Sequence, residues 1–164
     1  MLMKKLFRYW PIIGIYLLSA LFAIFWMTNV KYVGLFHFLE GFMTSFLVLF
    51  ACIKLWDLPG FAKRFSTYDL IAKKTPVYGY MYPFIELGLG IAMILSSNVL
   101  IDYIMVLISL IGIASVYKSI IKKERLYCAC LGTAFNVPLS YVAIVENITM
   151  LVSALLMILL GHSS

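Results

Sequence analysis

The chain has 164 residues, of which 64% are hydrophobic and only 12% charged, and its mean hydropathy is +1.03. This composition excludes an ordinary soluble domain, in which about half of the residues are apolar, and it indicates an integral membrane protein. The formal net charge of +6 would suggest nucleic-acid binding in a soluble protein. Here the basic residues fall almost entirely in short segments between apolar runs, where they report membrane topology, so we expect no nucleic-acid partner.

Five apolar runs approach the length of roughly 20 residues that a membrane-spanning helix needs. They cover residues 9–27, 33–55, 80–95, 99–121 and 139–160. The first run follows a basic stretch, as the apolar part of a secretory signal would, but it is longer than such a region and no clear cleavage site follows it. The sequence therefore predicts an all-α integral membrane protein with five transmembrane helices, forming a single domain over residues 1–164 in which the first helix is retained.

The basic residues predict the orientation of these helices. With five spans, 12 of the 13 lysines and arginines fall on one side of the membrane and only Lys31 falls on the other. The positive-inside rule assigns the lysine-rich side to the cytoplasm. We therefore expect a cytoplasmic N-terminus and an external C-terminus, in a membrane that we take to be the bacterial inner membrane.

The segment between the second and third runs predicts a short helix along the membrane surface. Phe61, Phe65 and Tyr68 recur at positions i, i+4 and i+7, interleaved with basic residues, as an interfacial helix requires. Pro76 is predicted to end this segment, and Pro83 to lie in the first turn of the third spanning helix.

Small residues predict close packing between the third and fourth spanning helices. The third contains Gly88 and Ala92 four residues apart, and the fourth contains Ser115 and Ser119 at the same spacing. Such pairs let helix backbones approach closely in lipid. We therefore expect these two helices to be neighbours.

Three carboxylates interrupt the apolar runs and are candidate functional groups. Glu40 lies near the outer end of the second run, and Glu86 and Glu146 lie about two turns into the third and the fifth. Met150 and Met157 share a helix face with Glu146, and their thioethers suit Cu(I). The alternatives are carboxylates hydrogen-bonded to neighbours and methionines that fill the core. In either case we expect Glu86 and Glu146 to face the bundle interior.

The three cysteines are all predicted to lie on the cytoplasmic side. Cys128 and Cys130 follow the basic run "KSIIKKER", which favours thiolates, and Cys52 lies about one turn from the end of its helix. A structural disulfide is not expected in a reducing compartment, which leaves a transient redox pair, a metal site or no chemistry. We expect Cys52 to lie close enough to Cys128 or Cys130 to share a metal ion or a disulfide.

Three pieces of the sequence carry a resemblance to a known family. They are "KLWDLPGF", "YDLIAKKTPVYGYMYPFIELGLG", and the cysteine segment with its "VPLS" and the following Glu146. The chain resembles the MauE branch of the MauE/DoxX group of redox-associated membrane proteins. The resemblance implies a DoxX-like four-helix core at residues 33–160, preceded by the extra helix at 9–27, and a role in thiol or metal handling. Its named member belongs to methylamine utilisation and is thought to assist the maturation of a disulfide-rich dehydrogenase subunit.

Relatives are often joined to glutaredoxin-like or heavy-metal-binding domains, so the resemblance implies that a separate soluble protein of one of these kinds is the partner.

Three interpretations of the function follow. The first is a thiol redox accessory protein, rather than a stand-alone enzyme, in which Cys128 and Cys130 react. The second is a carrier of a soft metal ion, Cu(I) or Hg(II), for which the candidate ligands are Cys52, Cys128, Cys130, Glu86, Glu146 and Met150. The third is a structural scaffold for a partner, and homo-oligomerisation stays open in all three. The usual catalytic and phosphate-binding motifs are not found, so no organic cofactor is predicted.

Overall fold

The computed structural model describes residues 2–30, 34–96, 98–121 and 139–161, and the regular structure in these ranges is entirely α-helical. Six helices follow one another along the chain: α1 Leu2–Val30, α2 Leu35–Trp56, α3 Leu58–Tyr68, α4 Pro76–Leu95, α5 Val99–Ile121 and α6 Leu139–Gly161. Five of them, all except α3, are long and apolar enough to cross a membrane. The predicted all-α membrane fold is therefore confirmed.

The start of α4 differs from its prediction. Pro76 begins α4 instead of ending the preceding segment, and Pro83 lies inside the helix, beyond its first turn. A proline fits the first position of a helix because its missing N–H would have no partner there. The second proline is compatible with a spanning helix, where neighbouring helices and side chains can satisfy the carbonyl that it leaves free.

The central helix of the bundle is α2, which packs against α1, α4 and α6. The main partner of α5 is α6. The short helix α3 lies across one end of the bundle, where it contacts α4, α2 and α5. The interior is consequently formed by α2, α4, α5 and α6, with α1 added against α2.

A single glycine lets α4 approach α2. A β-carbon added to Gly90 would lie 3.2 Å from the backbone oxygen of Thr44 and 3.0 Å from Cγ2 of Val48. The equivalent atom on Gly88 would meet nothing within 4 Å. The prediction that small residues of the third spanning helix pack closely against the fourth is therefore wrong, because the tight contact uses Gly90 and joins α4 to α2.

A second glycine sets the distance between α1 and α2. A β-carbon on Gly41 would lie 2.8 Å from Cβ of Trp26 and 3.1 Å from Cα of Ala23. On the α1 side, Gly14 has open space around it. The contact between the two helices therefore requires a missing side chain at position 41 but not at position 14.

The predicted short helix is present as α3. The Asp57 side chain caps its first turn by accepting the N–H of Gly60 at 3.1 Å. Phe61, Phe65 and Tyr68 form its buried face, as their spacing predicts, and the Phe65 ring lies 4.6 Å from the ring of Tyr82 on α4. The apolar face of α3 therefore packs onto the end of the bundle.

A buried aspartate fixes the turn that follows α3. Asp69 Oδ1 accepts the N–H groups of Ile71 at 2.9 Å and Ala72 at 2.8 Å. Ser115 on α5 donates its hydroxyl to Asp69 Oδ2 at 3.0 Å and accepts the N–H of Leu70 at the same distance. These bonds attach the turn, and with it the end of α3, to α5.

Candidate functional site

The buried face of α2 ends in a lysine. Met43, Leu47, Phe50 and Lys54 succeed one another at spacings of four, three and four residues, and all four are buried. The apolar stripe therefore continues along the helix until a charged residue takes its last position. The Lys54 side chain is 1% exposed.

Two glutamates from other helices surround the Lys54 ammonium group. Lys54 Nζ donates to Glu86 Oε1 at 2.6 Å and Oε2 at 2.7 Å, and to Glu146 Oε1 at 2.5 Å. Glu86 on α4 is 0% exposed and Glu146 on α6 is 3% exposed. An ammonium group has three protons, so these contacts use all of them. The three residues, called the ion cluster below, join α2, α4 and α6.

Aromatic rings surround the same ammonium group. Its Nζ lies 5.1 Å from the ring centre of Tyr82, 5.5 Å from that of Phe50 and 5.7 Å from that of Phe61. The faces of aromatic rings attract cations within about 6 Å. Because Phe61 belongs to α3, this short helix closes the end of the bundle over the ion cluster.

Two acceptor oxygens beside the ion cluster lack hydrogen-bond partners. Among the described residues, neither Glu146 Oε2 nor Asn147 Oδ1 has a partner, although both are buried. The amide nitrogen of Asn147 donates to the backbone oxygen of Ala143 at 2.7 Å. Both side chains line a cavity of about 10 Å³, roughly the space that one water molecule needs. The cavity also borders Lys54 and Tyr82.

Another polar cavity lies at the opposite end of α2. The carboxylates of Glu40 and Asp102, both buried, line it together with the thioethers of Met93 and Met157. Glu40, a candidate from the sequence, thus lies near a second carboxylate that the sequence pattern did not single out. This cavity and the ion cluster are connected along α6 by the buried face that carries Glu146, Met150 and Met157.

The prediction that Glu86 and Glu146 face the bundle interior is confirmed by their burial. The sequence analysis counted Lys54 only among the basic residues of the lysine-rich side, but it lies inside α2 with its side chain buried. A lysine near a helix end normally extends towards water. Its position in the stripe of Met43, Leu47 and Phe50 was the available signal that it points inward.

Cys52 does not belong to the ion cluster. Its side chain is exposed, so it points away from the face of α2 that bears Lys54. A thiol facing outward from the bundle counts against a shared site with the other cysteines. Cys128 and Cys130 lie outside the described residues, so the proposed sharing stays a prediction.

The ion cluster differs from a metal site in one respect. In the described part of the chain, no group of three or more histidine, cysteine, aspartate or glutamate side chains is arranged to hold a metal ion. Glu86 and Glu146 are candidate ligands from the sequence, but here a cation of the chain itself lies between them. The arrangement can hold charge and hydrogen-bond donors in the interior of the bundle.

Comparison with known proteins identifies a family for the chain. The family described as "Methylamine utilisation protein MauE" matches residues 32–160, which includes every helix except α1. No curated protein and no solved structure matches the chain significantly.

Proposed function

The chain belongs to the MauE family of methylamine utilisation proteins, and from this premise we propose that it is an accessory protein for thiol–disulfide exchange at the membrane. Cys128 and Cys130 are the reacting groups. The observation that carries the proposal is this pair of thiols, one residue apart in the segment that joins α5 to α6 in a member of this family.

The surroundings of the pair in the sequence favour thiolate chemistry. Lys122, Lys123 and Arg125 precede the first cysteine, and positive charge lowers the pKa of a nearby thiol. A disulfide across a single residue closes a small, strained ring, so it is readily reduced and suits transfer better than structure.

The exchange is written with a partner disulfide as the oxidant. The thiolate of one cysteine attacks the partner disulfide, forms a mixed disulfide and releases one partner thiolate. The second cysteine thiolate then attacks the mixed disulfide, which closes the Cys128–Cys130 bond and releases the other partner thiolate. Two electrons pass to the partner, and the two protons lost by the cysteines balance the two that its thiolates take up. The reverse sequence reduces the pair.

The partner is a separate soluble protein with paired cysteines, of the glutaredoxin-like or heavy-metal-binding kind. The excess of lysine and arginine on one side supports a cytoplasmic N-terminus and a cytoplasmic cysteine segment in the bacterial inner membrane. In that orientation the C-terminus is external.

Thiol labelling tests the proposal directly. The Cys52→Ser chain is placed in membranes, equilibrated with glutathione buffers of increasing oxidation, and labelled with a maleimide that adds mass for each free thiol. We expect the two remaining thiols to lose label together and to regain it with dithiothreitol. With Cys128→Ser or Cys130→Ser added as the matched control, the remaining thiol can lose label only by adding glutathione, which raises the mass of the chain by one glutathione, whereas the intact pair should lose label without that added mass. Two thiols that stay labelled in every buffer would refute the exchange.

Soft-metal binding is the second candidate, because Met150 and Met157 are buried along one face of α6. Met93 lines the same cavity as Met157, the one beside Glu40 and Asp102. In this case Cys128 and Cys130 take up Cu(I), with Met150 as a further predicted ligand, since Cys52 points outward and Glu86 and Glu146 hold Lys54. Cu(I) under anaerobic, reducing conditions should then protect both thiols from maleimide, and a Cu(I) chelator should restore labelling. Protection that only a reductant reverses would contradict metal binding.

A further inference from the structure

We infer that the cavity beside Glu146 and Asn147 binds one small cation that donates hydrogen bonds, the ammonium ion. The inference goes beyond the proposed thiol chemistry and does not depend on it. It rests on the hydrogen bonds, the charges and the lining of this cavity.

Among the described residues, the hydrogen-bond inventory lacks a donor for two buried oxygens. The three protons of Lys54 are taken by Glu86 and by Glu146 Oε1, so the lysine has none left for Glu146 Oε2. The Asn147 amide nitrogen is held by Ala143, which leaves its oxygen to face the cavity. Glu146 Oε2 and Asn147 Oδ1 are both hydrogen-bond acceptors, and both residues are more than nine-tenths buried. Buried acceptors without donors cost free energy, so a donor in the cavity stabilises the fold.

The charge inventory favours a positive donor over a neutral one. One ammonium group faces two carboxylates, so the cluster carries one excess negative charge when both glutamates are ionised. An unbalanced charge in an apolar interior is expensive. A water molecule would satisfy the two acceptors but would leave the charge uncompensated. A monovalent cation with N–H or O–H groups satisfies both requirements.

The size and the lining of the cavity select among cations. Its volume of about 10 Å³ fits a particle of about the size of water, such as ammonium. The rings of Phe61, Phe65, Tyr68 and Tyr82 form part of its wall and attract positive charge. No sulfur atom lines it among the described residues, so the cavity does not offer the ligands that a soft metal ion prefers.

The close contact of Asn147 with α5 supplies an uncharged test of the site. A β-carbon on Gly112 would lie 2.2 Å from Asn147 Oδ1. The Gly112→Ala change therefore displaces this oxygen and fills part of the cavity, while Lys54, Glu86 and Glu146 stay unchanged. Gly88→Ala is the matched control, because its added carbon meets nothing within 4 Å.

The experiment measures the melting temperature of the purified full chain in lipid nanodiscs. In one series ammonium chloride replaces choline chloride at constant pH and ionic strength, and in the other the pH is lowered at constant choline chloride. A ligand that binds only the folded state raises the folded-to-unfolded ratio about 100-fold when its concentration is about 100 times Kd. We expect the melting temperature to rise with ammonium at constant pH, and the rise to disappear in Asn147→Leu and in Gly112→Ala but to persist in Gly88→Ala.

The two series separate a bound cation from a proton. A rise with ammonium at constant pH identifies ammonium in the cavity, whereas a rise with acidity alone shows a protonated carboxyl group there and overturns the inference. The inference is overturned if neither series changes the melting temperature, or if Gly112→Ala and Asn147→Leu respond as the unaltered chain does, since the cavity then holds only water. Cys128→Ser with Cys130→Ser should keep the response, so loss of thiol exchange and loss of cation binding are distinguished.

Discussion

Replacing Lys54 by methionine tests whether the ion cluster is formed as the structure indicates. Methionine is unbranched and of similar length, so the change removes the ammonium group and leaves most of the apolar stem in place. The two carboxylates of Glu86 and Glu146 then lie in the bundle interior without the cation that contacts three of their oxygen atoms at 2.5–2.7 Å.

The expected loss of stability is large. Removing one partner of a buried ion pair costs about 3–5 kcal/mol, because the remaining charge is desolvated and uncompensated. In a chain of this size each kcal/mol lowers the melting temperature by roughly 2–4 °C. Lys54→Met should therefore lower the melting temperature by about 6–20 °C.

The assay is thermal unfolding of the purified variants in nanodiscs. Lys63→Met is the matched control, since Lys63 is exposed on α3 and an exposed substitution changes stability by about 0.5 kcal/mol or less. Adding Glu86→Gln and Glu146→Gln to Lys54→Met should recover much of the lost stability, because no charge is then buried at the position of the ion cluster. The reasoning fails if Lys54→Met is as stable as Lys63→Met, or if the triple variant is no more stable than the single one.

Three further predictions use the same measurement. Gly90→Ala should destabilise the chain by about 1–3 kcal/mol, because the added carbon crowds the backbone of α2. Gly88→Ala should leave stability unchanged, and equal effects of the two substitutions would contradict the contact between α2 and α4. Gly41→Ala should destabilise the α1–α2 contact by a similar amount, with Gly14→Ala as its control, and near-identical melting curves would exclude that contact. Asp69→Ala should cost about 2–4 kcal/mol, because three donors lose a buried charged acceptor, and a cost below about 0.5 kcal/mol would show that the turn after α3 is not fixed by this side chain.

Hydropathy was sufficient to predict the spanning helices. A helix that crosses lipid must satisfy its backbone internally and present apolar side chains over its whole length, so length and composition identify it without knowledge of its neighbours. The inward orientation of Glu86 and Glu146 followed from the same reasoning, because a carboxylate exposed to hydrocarbon is too costly.

Lys54 was harder to predict because two rules conflict at its position. Its closeness to the end of α2 favours a side chain that extends to water, whereas its place in the stripe after Phe50 favours burial. The decision depends on Glu86 and Glu146, which are distant in sequence, and on Phe61 of α3, which covers the site. A single helix contains none of this information.

The choice between Gly88 and Gly90 was likewise beyond the sequence. Both are small residues on α4, and the pattern that lets helices approach closely does not say which neighbour will approach or from which side. Only the packing of α4 against α2 distinguishes the crowded position from the open one.

The ion cluster is better explained by the cation binding inferred above than by a contribution to the stability of the fold. Apolar side chains of similar volume would join α2, α4 and α6 without the cost of desolvating three charges, and such replacements often stabilise proteins. In the part of the chain that the structure describes, a carboxylate oxygen and an amide oxygen, both buried beside a cavity, have no donors. A purely structural ion pair would be expected to satisfy these atoms. The helix α3 contributes Phe61, Phe65 and Tyr68 to the lining of this cavity, and the turn fixed by Asp69 and Ser115 holds the end of α3 in place. A variant that releases the turn, such as Asp69→Ala, should therefore weaken the response to ammonium as well as the fold.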